Sequence, residues 1–147
     1  MQRALRYLGY RPRSEAEIRG YLRRQGYLTA VGDHVIEKLR SLNYVDDQSF
    51  ARDWALAKAE SRGYGPSRIE QELRTKGIAP SMIREVIRET LDACDEKTQA
   101  ERLLAKRFHS QDFRDLKTLR RAIAFLQRRG YSSAVISDLL RYPNEEE

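Results

Sequence analysis

The sequence predicts an all-α protein, an elongated curved array of three tandem three-helix repeats. Three observations carry that prediction. Apolar residues recur at helical spacing in stretch after stretch, with no alternating strand pattern. The stretches are bracketed by residues that start and stop helices, such as Ser14, Asp46, Pro66 and Pro80 at beginnings and Gly26, Gly77 and Gly130 at ends. Anchored on those three glycines, the pattern repeats at offsets of 51 and then 53 residues. Four residues before each glycine stands Leu22, Leu73 or Leu126, and eight before it Ile18, Ile69 or Ala122. One residue after it comes Tyr27, Ile78 or Tyr131. The echo divides the chain into units at 1–45, 46–94 and 95–147. A unit of roughly 50 residues buries too little surface to be stable alone, so each is expected to stack on its neighbour.

In chain order, ALRYLGYR makes a short helix ending near Gly9. Ser14 and Glu17 then have the spacing of a capping box, opening a helix that carries Ile18 and Leu22 and closes at Gly26. A loop through Gly32 and Asp33 is expected next, followed by a third helix marked by Val35, Ile36 and Leu39. On this reading the first unit holds about four extra loop residues, which bring Ile36 to the place of Ile83 and Ile136. Asp46 and Asp47 suit the start of a long helix from about Asp47 to Arg62, with Phe50, Trp54 and Ala57 as its apolar stripe and Ala51 and Ala55 beside it. Gly63 and Gly65 stop it. Pro66 opens a shorter helix through Ile69 and Leu73 to Lys76, and Pro80 a third, faced by Met82, Ile83, Val86, Ile87 and Leu91. The last unit places Ala100, Leu103, Leu104 and Phe108 on one helix. Leu119, Ala122, Ile123 and Leu126 lie on the next, and Val135, Ile136, Leu139 and Leu140 on the last. Tyr27, Tyr44, Tyr64 and Tyr131 sit near helix ends, where rings can pack while hydroxyls reach water. The tail NEEE is expected to fray.

The chain has 147 residues, 34% of them charged and 40% hydrophobic, which fits a charge-laced helical protein and not a disordered one. No apolar run approaches the ~20 residues of a membrane span, and MQRALRYLGY lacks the apolar core of a secretion signal. A cytoplasmic location is expected. Cys94 is the single cysteine and reads as a small buried filler, while His34 and His109 match no metal-ligand spacing. No cofactor or metal is expected, nor a small-molecule substrate. There is no nucleophile elbow and no phosphate-cradling loop. Asp46 and Asp47, as adjacent helical residues, point about 100° apart, which suits a cap better than acid–base catalysis. The sequence therefore predicts no enzyme.

Basic residues are the informative constellation. Net charge is +6, and residues 1–45 hold nine Lys and Arg against four Asp and Glu. Arg11, Arg13, Arg19, Arg23 and Arg24 crowd the first unit; Arg62, Arg68, Arg74 and Lys76 surround the Gly-Tyr-Gly-Pro turn; Arg120, Arg121, Arg128 and Arg129 lie in the last. Each cluster alone could be a solvated helix face. Arginine outnumbers lysine 22 to 6, however, and its planar fork suits bidentate pairing with carboxylate or phosphate. Short helices joined by tight turns also suggest a helix-turn-helix, but the second helices have few side chains able to read base edges. Backbone contact, tolerant of sequence and sensitive to salt, is the more plausible way to meet DNA.

The combination YVDDQSFA followed by RGYGPSRIEQELRTKGI, over residues 44–78, resembles the RecX family of small bacterial regulators of the RecA recombinase. The similarity extends over nearly the whole chain and is weakest in the last unit. It implies an arch of three helical repeats lying along the groove of a RecA–single-stranded DNA filament and bridging neighbouring subunits. It implies a non-catalytic monomer that lowers strand exchange, ATP hydrolysis and co-protease action, and so modulates recombination, DNA repair and the SOS response to damage. On charge and placement at turns, Arg62, Tyr64, Arg68, Arg74 and Lys76 are expected to contact the filament, with Arg11, Arg13, Arg19, Arg23 and Arg24 beside them. Any role of an N-terminal extension in longer relatives does not carry over. Two other readings stand beside this one: a helical module acting by direct, sequence-tolerant DNA contact, and a scaffold for some other helical partner.

Overall fold

A computed structural model describes residues 1–91, 93–109 and 111–140, with the side chains of Ala93 and Cys94 excluded. The filler role expected of Cys94 and the fraying expected of the NEEE tail therefore lie outside the described residues. Nine α-helices appear in order among the described residues: α1 (Gln2–Tyr10), α2 (Glu15–Arg24), α3 (Thr29–Ser41), α4 (Asp47–Arg62), α5 (Pro66–Thr75), α6 (Pro80–Thr90), α7 (Ala93–Arg107), α8 (Leu116–Arg129) and α9 (Ser133–Leu140). They form an elongated, curved array of three-helix repeats. None is long and apolar enough to cross a membrane.

The helix starts follow the local chemistry. Ser14 and Glu17 form the full capping box of α2, each side chain accepting from the other's backbone N–H. Asp46 accepts from the N–H groups of Gln48 and Ser49 and caps α4. The Asp47 carboxylate does something else: it accepts from the N–H of Glu15, 2.9 Å away, and so caps the neighbouring α2.

Each unit has its own core. Ile18, Leu22, Ile36 and Leu39 fill the first, Ile69, Leu73, Ile83 and Val86 the second, and Ala100, Ala122, Leu126 and Ile136 the third. In α4 the buried seam is Ala51, Ala55 and Ala59, a row of small residues at every fourth position that lets α6 pack close. Ala57, expected on the apolar stripe, is exposed, because that seam turns it to the opposite side.

The expected loop at Gly32 and Asp33 is instead helix. Like α6 and α9, α3 begins three residues after its glycine, so the first unit has no insertion. Gly32 therefore occupies the position of Ile83 and Ile136, buried but without a side chain, and Ile36 sits one turn later. Glycine and aspartate commonly punctuate loops. Here the packing of Val35, Ile36 and Leu39 outweighs the roughly 1 kcal/mol that a helical glycine costs.

Candidate functional site

The candidate surface is built around the two joints between units, and both joints have one design. The C-terminal turn of a middle helix sits on the N-terminal start of the preceding middle helix. At the first joint the end of α5 meets α2. Ser14 Oγ donates to the Lys76 carbonyl at 2.7 Å, and a Cβ added to Gly77 would collide with that of Ala16. At the second joint the end of α8 meets α5. The N–H groups of Gly65 and Ser67 donate to the carbonyls of Arg129 (2.6 Å) and Gly130 (3.0 Å). A Cβ on Gly130 would collide with the Arg68 backbone, and one on Gly65 with the Gly130 carbonyl at 2.6 Å. At the second joint, unpaired carbonyls at one helix end thus satisfy unpaired N–H donors at another, and at the first the capping hydroxyl of Ser14 takes that part.

Side chains lock each joint. Glu17 lies at the first, reached by Arg11 (2.5 Å), Lys76 (3.3 Å) and Arg13 (4.0 Å). Burial alone would raise its pKa. The hydrogen bonds from Arg11 and the Ser14 N–H, with the charge of Lys76, hold it below the usual carboxylate range. Asp47 is pushed the other way, by burial and the nearby Glu15 charge, against the Glu15 N–H bond and Arg19 and Arg40. At the second joint the Tyr131 ring is 4% exposed and its hydroxyl donates to the Gly63 carbonyl at 2.8 Å. The expectation that this hydroxyl reaches water is thus corrected: the residue sits between units, where an unpaired carbonyl would be costly. Its phenol pKa is raised by burial, with the charge of Glu96 adding to the effect. Gln99 Nε2 donates to the Ala59 carbonyl at 2.6 Å, and Arg129 to that of Arg62.

The sequence-predicted basic residues divide into two groups. Arg13 stacks on Tyr7 at 3.9 Å with its side chain only 13% exposed, and Lys76 lies between Glu17 and the Trp54 ring. Arg68 covers the Tyr64 ring at 4.3 Å and donates to the Arg128 carbonyl at 2.9 Å. Lys76 and Arg68 cross the joints, while Arg13 supports Glu17 and Tyr64 supports Arg68 from within their own units. Arg11 pairs with Glu17, Arg19 with Asp33 and Glu15, and Arg74 with Glu70 at 2.7 Å, each keeping part of its charge at the surface. Arg23, Arg24 and Arg62 are exposed and form no ion pair among the described residues. The structure gathers Arg11, Arg13 and Lys76 at one joint and Tyr64, Arg68 and Arg62 at the other. Arg23 and Arg24 lie apart, at the outer end of the first unit.

Sequence reasoning missed a cleft of about 890 Å³ beside the second joint. Arg62 and Arg129 line it with Arg102, Lys106 and Arg107 of α7, five cations against the carboxylates of Glu60 and Asp95, over an apolar floor that includes Leu56 and Leu103. The four-residue spacing of Arg102 and Lys106 was the available signal, since it puts both on one face of a helix. Such a cleft can hold a polyanion or an acidic segment of a protein.

Three family models match in sequence: RecX first three-helix domain over residues 1–39, second over 46–87 and third over 95–140. The regulatory protein RecX of Mycobacterium ulcerans is 34% identical over 138 residues, covering 92% of this chain and 79% of that protein. That of Mycobacterium leprae is 32% identical over 140 residues, covering 92% and 80%. A crystal structure of regulatory protein RecX superposes with a TM-score of 0.78 at 25% identity, covering 95% of this chain and 68% of the other. RecX from Lactobacillus salivarius has the same fold, with a TM-score of 0.78 at 24% identity over 95% of this chain and 91% of that one.

Proposed function

The chain belongs to the RecX family, and from that membership we propose that it is a non-catalytic regulator of the RecA recombinase. In this reading it lies along the groove of the RecA–single-stranded DNA filament and lowers strand exchange, ATP hydrolysis and co-protease activity. The observation that carries the reading is the pair of like joints: units stacked at a regular interval, each junction bordered by exposed arginine. A helical filament repeats its surface from subunit to subunit, and a periodic array can touch several subunits at once, so that weak contacts add as one strong contact. Arg62, Arg74, Arg23 and Arg24 are the foremost contact residues. Arg13, Tyr64, Arg68 and Lys76 act by holding the units in register.

The test is ATP turnover by preformed RecA–DNA filaments as the protein is titrated in. A dose-dependent fall is expected; unchanged turnover would refute the proposal. The cationic cleft favours a second reading, direct contact with the DNA backbone. Binding to bare single-stranded DNA that falls steeply with salt, and is no tighter when RecA is present, would select that alternative.

A further inference from the structure

Among the described residues, the joint design leaves one end unmated. The Gly26 turn is built like those at Gly77 and Gly130: the N–H of Gly26 donates to Arg23, and the N–H of Tyr27 to Leu22, as their counterparts do in the other units. Its φ is +91°, beside +77° and +89° at the other two glycines. Those two turns each hold a helix start. Around Gly26, a Cβ would meet nothing within 4 Å, and the carbonyls of Gln25 and Gly26 have no partner among the described residues.

The surroundings are those of an uncovered joint. Ile78 and Tyr131, one residue past the other glycines, are 3% and 4% exposed, whereas Tyr27 is 39% exposed and Leu28 beside it 76%. Because Gly32 replaces the isoleucine of the other units, a shallow recess opens between α2 and α3, lined by Leu22, Tyr27, Leu28 and Gly32. Arg23 lines it beside the Arg19–Asp33 ion pair, and the Arg3 guanidinium lies 5.7 Å from the centre of the Tyr27 ring.

We propose that the Gly26 turn is a socket for the first turn of a helix in a partner protein, one that begins with a capping Ser, Thr or Gly, then a small residue, then a carboxylate. The start of α2, with Ser14, Ala16 and Glu17, shows this chemistry at the first joint, where Glu17 meets Lys76. A second copy of this chain does not supply it from its middle helices. The starts of α2 and α5 are already occupied, and α8 begins one turn earlier relative to its glycine, covering the equivalent surface at Thr118. That the partner is a RecA subunit rests on the function proposed above; the socket itself does not.

Gly26→Asn tests it. Asparagine tolerates positive φ, as Asn43 does in this chain at +60°, so the fold should be retained while a side chain enters the socket. Leu28→Asp places a like charge where an acidic helix start would sit. Both variants should unfold within about 2 °C of the parent and bind RecA–DNA filaments at least about tenfold more weakly. A synthetic peptide of residues 12–24, carrying the start of α2, should shift the amide NMR signals of Gly26, Tyr27 and Leu28 at millimolar concentration, and not in Gly26→Asn. Unchanged filament binding by both variants would overturn the RecA assignment, and absence of the peptide shifts would overturn the socket. If the parent protein fails to bind filaments at all, the proposed function falls while the peptide still decides the socket. A dimer in sedimentation that Leu28→Asp dissociates would make the occupant a second copy and overturn the proposal.

Discussion

At Glu17 a single carboxylate accepts the capping N–H of Ser14, pairs with Arg11 and ties the second unit to the first through Lys76. Its pKa lies below 4.5 in the folded chain, so the stabilisation it contributes is complete above that unfolded value. It is lost as pH falls through the folded value. Asp47, whose pKa is raised, has the opposite sign and offsets part of that loss in acid. Glu17→Gln should therefore cost about 1–2 kcal/mol near neutral pH. It should also lose less melting temperature than the parent between about pH 6 and pH 3, as followed by circular dichroism. A parallel decline in the two proteins would show that Glu17 is not the acid-sensitive group. Arg13 and Lys76 share this neighbourhood, which bears on what charge alone can reveal. In the sequence they look like Arg23 and Arg24, yet one pair is half-buried inside a joint and the other exposed. A basic cluster signals a need for an anion without saying whether the chain provides it.

At the scale of elements, the turns carry the architecture. Gly65 approaches the Gly130 carbonyl so closely that a methyl group cannot fit without moving the third unit. Gly65→Ala is expected to destabilise the protein by about 1–3 kcal/mol through overpacking. Tyr131→Phe should cost a similar 1–3 kcal/mol by leaving the Gly63 carbonyl buried and unpaired. Both should speed proteolytic release of residues 95–140 more than cleavage within the first unit, as limited digestion followed by mass spectrometry would show. The helices and their ends were legible because caps are local: Ser14 with Glu17, Asp46, Pro66 and the four positive-φ glycines each act within a few residues. The joints were not legible. Nothing near Gly65 or Gly77 distinguishes a glycine that ends a helix from one that makes room for a neighbour 60 residues away. The α3 start was missed for a related reason. Gly32 and Asp33 have loop chemistry, and only the tertiary burial of Val35 and Ile36 shows that the helix runs through them.

At the scale of the molecule, the array holds three middle helices end to end, α8 against α5 and α5 against α2, so charge placed at either joint is held at a set spacing. The cleft beside the second joint concentrates five of those cations, and Arg62, Arg102 and Lys106 are exposed and form no ion pair among the described residues. These three are the residues through which the proposed regulator can be separated from a plain DNA binder. If the cleft grips phosphates, replacing the three by alanine removes up to three contacts, each contributing about 0.7 to the salt slope of single-stranded DNA binding. The slope on an oligonucleotide should then flatten by about 2 in the log–log plot, while inhibition of RecA ATP turnover declines only modestly. If the cleft instead holds an acidic segment of RecA, inhibition should fall by at least about tenfold with little change in DNA affinity. Because Arg62 gives only its backbone carbonyl to the joint, and Arg102 and Lys106 make no bond to it, the fold should survive the substitutions. A difference between the two assays can then be assigned to the cleft.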